Sequence, residues 1–259
     1  MIAVLLALLF SVASATAEET IFLTCEEPPT NFAQEEQVVG ISVDIVRELI
    51  ARLGKQNDIM LLPWARAYKM ALKRPNVILF TCGRTRQRAD LGFSFIGPIV
   101  TRTHGLFSLK QADVRINSLD DVRERGIHVG GMIGDWRTES LMDKGISVQQ
   151  VSTHHMNIRK LLHRRIDLMI SSDLELPTLV RDAGEPTARF RMSLALETAP
   201  SFIMLSKDTP PAVVSAWEEA LSSLKETDFM ARTADKWSEI LGLSLVYEPD
   251  KGIVKTHKP

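Results

Sequence analysis

The feature that most constrains this chain is an apolar run at residues 77–80 (VILF), which leads directly into residues 81–88 (TCGRTRQR). The run is short, partly β-branched and bounded by Pro75 before it and Gly83 after it, which predicts a buried strand. In open α/β sheets, ligands lie just beyond the carboxyl ends of such strands. Arg84, Arg86 and Arg88 follow this strand. A guanidinium group that is held in place binds a carboxylate through two parallel hydrogen bonds. For any single arginine, the alternative is solvation or pairing with a nearby acid such as Asp90.

Strand and helix patterns alternate along the first third of the chain. The predicted elements are strands at 20–24, 60–62 and 77–80 and helices at 43–53 and 64–72. This β-α-β-α-β order indicates a parallel sheet with helices packed on its faces. We therefore expect an α/β fold.

The same alternation recurs from about residue 109 to residue 197. Two further helices are predicted at 213–224 and 228–241, because apolar residues recur there at helical spacing. The tail after Tyr247 is polar, and we expect it to be loosely ordered.

The first 17 residues have the pattern of a secretory signal peptide. An apolar stretch is followed by small residues and a small-x-small site at residues 15–17, just before Glu18. The alternative is a short membrane anchor, but about a dozen apolar residues are too few to span a bilayer. The expectation is a cleaved signal at 1–17 and a mature protein in the periplasm.

Composition excludes some classes of partner. The chain has 259 residues with a formal net charge of −1, which gives no support for nucleic acid or anionic membrane partners. Its two cysteines are too few for a disulfide framework. We expect no cofactor.

Several motifs, in order and spacing, resemble the bacterial periplasmic solute-binding proteins of family 3, the polar amino-acid type that serves ABC transporters. The segment 40–44 (GISVD) resembles the family's opening. Residues 85–88 (TRQR) followed by 93–98 (FSFIGP) resemble its T-x-x-R and F-S-x-P signature, and 165–168 (RIDL) resembles a strand of its second lobe. The resemblance covers essentially the whole mature chain.

The resemblance implies a two-lobed periplasmic binding protein fold of type II, with two parallel-type sheets joined by two crossing strands. Lobe 1 would comprise residues 18–108 plus 201–259, and lobe 2 residues 109–200. The crossings are expected at 106–109 and 203–205. The implied function is binding of a small carboxylate-bearing, amino-acid-like solute for delivery to a membrane permease, by a monomer.

The resemblance also implies a ligand site on lobe 1. Arg88 matches the arginine that grips the ligand's carboxylate, and Thr81 and Gly83 match positions that offer hydroxyl or backbone contacts beside it. Trp64 is expected to supply an apolar wall. Arg84 and Arg66 remain alternative anchors, and Arg86 is the one we expect at the surface.

On lobe 2 the sequence departs from the family pattern. Trp136 stands where a hydroxyl contact is frequent, and Ser172 stands where the family often has an acid that pairs with the ligand's α-ammonium. Asp173 is one residue further, and successive strand side chains alternate in direction. These departures put a zwitterionic ligand in doubt.

Cys25 and Cys82 each follow a predicted strand of lobe 1, and in this fold those two strands are neighbours. An exported protein meets oxidising conditions, so the two cysteines could form a disulfide. The alternative is two small buried thiols.

Other functions have weaker support. His154 and His155 are adjacent, and no acid or cysteine motif completes a metal site around them. The sequence has no nucleophile elbow, phosphate loop or paired-carboxylate motif, so we do not expect an enzyme. The alternatives to solute uptake are a periplasmic ligand-sensing module of a signalling system and, with less support, an enzyme on the same fold.

Overall fold

The computed structural model of the protein describes residues 20–55 and 58–256, so the predicted signal peptide at 1–17 lies outside the described residues. Its strands are β1 (Ile21–Thr24), β2 (Phe32–Gln34), β3 (Gln37–Val39), β4 (Ile59–Leu61), β5 (Val77–Gly83), β6 (Ser94–Leu109), β7 (Val129–Met132), β8 (Val148–Val151), β9 (Leu168–Ser172), β10 (Phe190–Leu205), β11 (Leu245–Glu248) and β12 (Gly252–Lys255). Its α-helices are α1 (Ile41–Arg52), α2 (Trp64–Lys73), α3 (Arg86–Asp90), α4 (Leu119–Glu124), α5 (Trp136–Asp143), α6 (His154–Leu162), α7 (Glu175–Asp182), α8 (Pro211–Lys225) and α9 (Phe229–Leu241).

The main sheet runs in the order β4-β1-β5-β10-β6-β9-β7-β8. β1 lies between β4 and β5 and is parallel to both, as the β-α-β-α-β pattern predicted. At the other end, β7 lies between β8 and β9 and is again parallel to both. Parallel strands connected through helices place their carboxyl ends at one edge, so each half of the molecule has one such edge.

Separate hydrophobic cores mark the two lobes. In lobe 1, one cluster packs under α1, α8 and α9, and another packs under α2 on the opposite face of the sheet. In lobe 2, one cluster packs under α6 and α7 and another under α4 and α5. Each lobe is therefore a helix-sheet-helix sandwich, which confirms the expected two-lobed α/β fold.

The strand pairing differs in one respect from the expected two separate sheets. β6 and β10 are 16 residues each, and they pair with each other along nearly their whole length. β10 also pairs with β5 of lobe 1, and β6 with β9 of lobe 2, so one ladder of hydrogen bonds runs through both lobes. β5 pairs with residues 201–205 of β10, and β9 pairs with residues 104–107 of β6; the segments expected to cross, 106–109 and 203–205, lie at the ends of these strands. The lobe boundaries at 108–109 and 200–201 stay predictions.

The described part of the tail after Tyr247, up to residue 256, contains regular structure, contrary to the expectation from its polarity. β11 and β12 form a hairpin, and Ile253 pairs with Val100 of β6. Ile253 is fully buried. Its partner lies about 150 residues earlier in the chain, so local composition gave no sign of it. In the described part of the chain, no helix combines the length and hydrophobicity needed to cross a membrane.

Candidate functional site

The carboxyl end of β5 contains a strained residue. The pairing with β10 skips Thr81, which is the extra residue of a β-bulge and has φ of +64°. A non-glycine residue in this conformation costs about 1–3 kcal/mol and is concentrated at functional sites. Thr81 is 5% exposed, and its hydroxyl is buried without a hydrogen-bond partner. The bulge therefore presents an unused hydroxyl at the strand end that the sequence singled out.

Arg88 lies beside this bulge in a fixed position. The Thr85 hydroxyl caps α3 by accepting from the Arg88 N–H at 3.2 Å. Arg88 Nη1 donates to the Gly83 carbonyl at 2.7 Å, and its guanidinium carbon lies 4.7 Å from the centre of the Trp64 ring. It also lies 5.5 Å from the Tyr68 ring centre. A half-buried guanidinium held in this way is prepared to receive a carboxylate.

The neighbouring arginines are less constrained. The Arg86 side chain is 95% exposed and reaches only Asp90, at 3.8 Å. Arg84 is exposed, with its guanidinium carbon 6.0 Å from the Phe95 ring centre, and Arg66 is exposed on α2. Of these four arginines, Arg88 is the one whose contacts hold its guanidinium in place to bind a carboxylate.

Trp64 begins α2 and is half-buried. It stacks on Tyr68, one helical turn later, with ring centres 5.4 Å apart and planes 14° apart. Sequence reasoning missed Tyr68. The spacing of four residues from Trp64 on a predicted helix was the signal that could have identified it.

Trp136 is the first residue of α5, at the carboxyl end of β7 in lobe 2, and is 38% exposed. It packs edge-to-face on His104 of β6, with ring centres 5.1 Å apart. Both residues line a cavity of about 260 Å³ beside the crossing strands. Burial, followed by the charges of Arg102 and Arg137, lowers the pKa of His104 to about 3, so this imidazole is neutral at physiological pH.

Ser172 and Asp173 already have protein partners. Ser172 is fully buried, and its hydroxyl accepts from the Glu175 N–H at 3.1 Å. Asp173 Oδ1 accepts from the Thr103 N–H at 3.0 Å, and its carbonyl accepts from Lys255 Nζ at 3.3 Å. Both residues therefore hold the start of α7 and the crossing strand in place.

A buried ionic cluster, which sequence reasoning missed, lies at the same edge of lobe 2. Arg137 donates from Nε to both oxygens of Asp135, at 3.0 and 2.9 Å, and from Nη1 to Glu175 at 2.7 Å. His154 Nε2 lies 3.1 Å from Asp135, and the Ser171 hydroxyl donates to Glu175 at 2.9 Å. The four ionisable residues come from the starts of three different helices and Ser171 from β9, so no local motif reveals the cluster. His154 belongs to it, whereas His155 is exposed and lies 3.3 Å from Asp182.

The cluster's charges account for its pKa shifts. Burial raises the pKa of Glu175, but the positive charge of Arg137, with a smaller contribution from His154, outweighs it and lowers the pKa to about 2. Burial would lower the pKa of Arg137, yet Asp135 and Glu175 hold it well above its usual range, with a smaller contribution from Glu27 of lobe 1. Glu27 itself pairs with Arg102 on the crossing strand. The charged groups of both lobes therefore meet at the cleft between the two carboxyl edges.

Comparison with known proteins identifies this arrangement. A sequence profile of the bacterial extracellular solute-binding proteins, family 3, matches residues 20–240. The chain belongs to this family. A comparison with curated proteins gives no significant match.

Solved structures similar to this family 3 protein share its fold. A P235GK mutant of ArgBP from T. maritima is 18% identical, with a TM-score of 0.72 over 85% of this chain and 95% of that one. A histidine kinase sensor domain with similarity to periplasmic binding proteins is 17% identical, with a TM-score of 0.73 over 84% and 95%. A substrate-binding protein of an ABC uptake transporter from Streptococcus pneumoniae, with bound histidine, is 17% identical, with a TM-score of 0.70 over 88% and 95%.

The two cysteines of this family 3 protein are free thiols in the structure. Burial raises the pKa of Cys82 to about 12, and its thiol donates to the Leu79 carbonyl at 3.4 Å. Burial, followed by the negative charge of Glu27, raises the pKa of Cys25 as well. β1 and β5 are neighbours, as expected, but the bulge at Thr81 turns Cys82 into the core under α2. The disulfide stays a prediction.

Among the described residues, no group of three or more histidine, cysteine, aspartate or glutamate side chains is arranged to hold a metal ion. The side chains that the two carboxyl edges bring together are a guanidinium, aromatic rings, hydroxyls and an internally paired ionic cluster. Such groups bind and orient a small solute.

Proposed function

We propose that this protein binds a small, carboxylate-bearing, amino-acid-like solute in the periplasm and delivers it to an ABC transporter permease. The observation that carries the proposal is Arg88, whose guanidinium is held by the Gly83 carbonyl and the Trp64 ring beside the strained Thr81 bulge. Two of the structurally similar proteins support the class, one by its name ArgBP and the other by its bound histidine.

In this proposal the solute lies between the carboxyl edges of the two lobes. Its carboxylate accepts two hydrogen bonds from Arg88, and Thr81 and Gly83 contact it through a hydroxyl and the backbone. Trp64 covers one side of the solute, and Trp136 approaches from lobe 2. Ser172 and Asp173 stay predicted contacts, and their existing hydrogen bonds make Trp136 the stronger candidate on that lobe.

The test is calorimetry on Arg88→Ala, after a thermal-shift screen of amino acids and small carboxylates has found a solute. A charge-assisted hydrogen bond contributes about 1.5–3 kcal/mol, so loss of one should weaken binding by at least tenfold and loss of both by about a hundredfold or more. Arg86→Ala is the matched control, because that side chain is 95% exposed. Equal affinity of folded Arg88→Ala and wild type would exclude Arg88 as the anchor.

The similarity to a histidine kinase sensor domain favours solute sensing as a second candidate function. Uptake of radiolabelled solute by cells with and without the gene separates the two functions. Uptake that depends on the gene supports delivery, whereas unchanged uptake together with an altered transcriptional response supports sensing. In either role we propose a monomer that releases its solute unchanged, and chromatography of the released solute tests for turnover.

A further inference from the structure

The charged groups at the cleft affect which carboxylic acids this protein accepts. This inference rests on the proposed function. An amino acid bound through its carboxylate also brings an ammonium group into the cleft. A buried ammonium is costly unless acceptors or aromatic faces surround it, and a carboxylate with free acceptor positions is its strongest partner. The acids at the two carboxyl edges therefore bear most directly on whether an amino acid fits.

The two acids at the core of the lobe 2 edge are already satisfied. Asp135 accepts from Arg137 through both oxygens and lies 3.1 Å from His154 Nε2. Glu175 accepts from Arg137 at 2.7 Å and from Ser171 at 2.9 Å. Asp135 is 6% exposed and Glu175 is 3% exposed. Arg137 therefore already uses acceptor positions of both acids that a ligand ammonium would need.

The other acids near the cleft have partners too. Glu27 pairs with the buried guanidinium of Arg102. Asp173 is 6% exposed and accepts from the Thr103 backbone N–H. Glu26 is exposed to solvent and accepts from the Ala33 N–H at 3.3 Å.

Besides Arg137 of the ionic cluster, two residues of opposite charge line the Trp136 cavity. Glu197 and Lys144 both line it and both are exposed to solvent, so they provide no net charge there. In the described part of the chain, position 172 is a serine and the buried Asp173 carboxylate already accepts from the Thr103 N–H, so neither position adds an acid dedicated to a ligand cation.

The groups without partners at the anchor are neutral. The Thr81 hydroxyl is buried and makes no hydrogen bond, and it lies two residues from the carbonyl that holds Arg88. A hydroxyl can donate to a carboxylate or exchange hydrogen bonds with a neutral substituent beside it. We infer that the solute is a carboxylic acid whose α-substituent is uncharged, such as a 2-hydroxy acid, and not an α-amino acid.

The experiment compares matched sets of three compounds by calorimetry on the wild-type protein. The sets are L-phenylalanine, 3-phenyllactate and 3-phenyllactamide; L-leucine, 2-hydroxy-4-methylpentanoate and its amide; and L-glutamate, 2-hydroxyglutarate and its diamide. In the set that binds most tightly, we expect the hydroxy acid to bind at least tenfold more tightly than the amino acid. An amino acid that binds as tightly as its hydroxy acid, or more tightly, overturns the inference.

The same sets separate this inference from the proposed function. An amide that binds as tightly as its acid, or binding that Arg88→Ala leaves unchanged, contradicts the carboxylate anchor itself. An amino acid that is preferred and still depends on Arg88 contradicts only the uncharged α-substituent.

A second variant tests the charge argument directly. Ser172→Asp adds a carboxylate at the lobe 2 edge, with Ser172→Asn as the control of equal size. We expect Ser172→Asp to shift the preference at least tenfold toward the amino acid relative to Ser172→Asn. Equal preferences in the two folded variants would show that charge at this edge does not select the solute.

Discussion

Arg88 combines a hydrogen bond to a backbone carbonyl with stacking on two aromatic rings, and both interactions restrict the side chain before a solute arrives. Each cation–π contact contributes about 0.5–1 kcal/mol at an exposed site and more where water is excluded. Ordering a long side chain in advance reduces the conformational entropy lost on binding. Lysine has no planar guanidinium to stack and donate in this way, so an exchange of Arg88 for lysine is not conservative.

Glu175 provides a test of the buried ionic cluster at the level of one residue. Its pKa, about 2, lies below its ordinary value near 4.5, so its ionisation stabilises the folded state above pH 4.5. That contribution is lost as the pH falls from 4.5 toward 2. Glu175→Gln should cost about 3–5 kcal/mol at neutral pH, because Arg137 loses a buried partner. The free energy of unfolding of this variant should also fall less steeply than that of wild type between pH 4.5 and pH 2.

Urea denaturation as a function of pH measures both effects. Glu48→Gln is the control, because Glu48 is partly exposed on α1 and pairs with Arg52, four residues later on the same helix. Surface pairs of this kind contribute less than about 1 kcal/mol. If the free energy of unfolding falls with the same slope below pH 4.5 in Glu175→Gln and in wild type, the cluster does not depend on this carboxylate.

At the scale of single elements, local patterns predicted what lies within one strand or helix. The run at 77–80 predicted β5, and the arginines after it included the one held beside the strand end. The pattern could not predict the bulge at Thr81, because it depends on the register with β10, more than 100 residues later. Asp135, His154 and Glu175 begin three different helices, so their cluster exists only once the sheet has assembled.

Composition predicted a loosely ordered tail where β11 and β12 form a hairpin. Gly252 explains how this hairpin packs against β6. Gly252 has φ of +75°, and a Cβ there would lie 2.3 Å from the Ile99 carbonyl carbon and oxygen. Gly242, which caps α9, has φ of +64° but open space around it. Gly242→Ala should therefore cost only the strain of its backbone conformation, about 1–2 kcal/mol.

Gly252→Ala should cost clearly more than Gly242→Ala, because the added methyl group would force the hairpin away from β6. Urea denaturation of both variants measures the difference, and limited proteolysis should cut Gly252→Ala after residue 242 faster than wild type. If the two substitutions cost the same, the close approach of Gly252 to β6 does not contribute to stability.

At the scale of the whole molecule, the two lobes are connected by more than their crossing strands. Leu174 begins the α7 region of lobe 2, yet it is fully buried in the lobe 1 core with Ile99, Val100 and Ile253. Lys255 reaches the Asp173 carbonyl, and Arg181 of α7 reaches the Ile240 carbonyl of α9 at 3.4 Å. These contacts couple the lobes on one side, and a hinge of this fold has to move around them.

Leu174→Ala should therefore weaken the coupling between the lobes as well as overall stability. Leu179→Ala is the matched control, because Leu179 is also buried but packs only in the lobe 2 core. Each substitution should cost about 2–5 kcal/mol. In differential scanning calorimetry, only Leu174→Ala should raise the ratio of calorimetric to van't Hoff enthalpy above that of wild type, because its lobes then unfold separately. The same ratio in both variants would show that Leu174 stabilises lobe 1 without joining it to lobe 2.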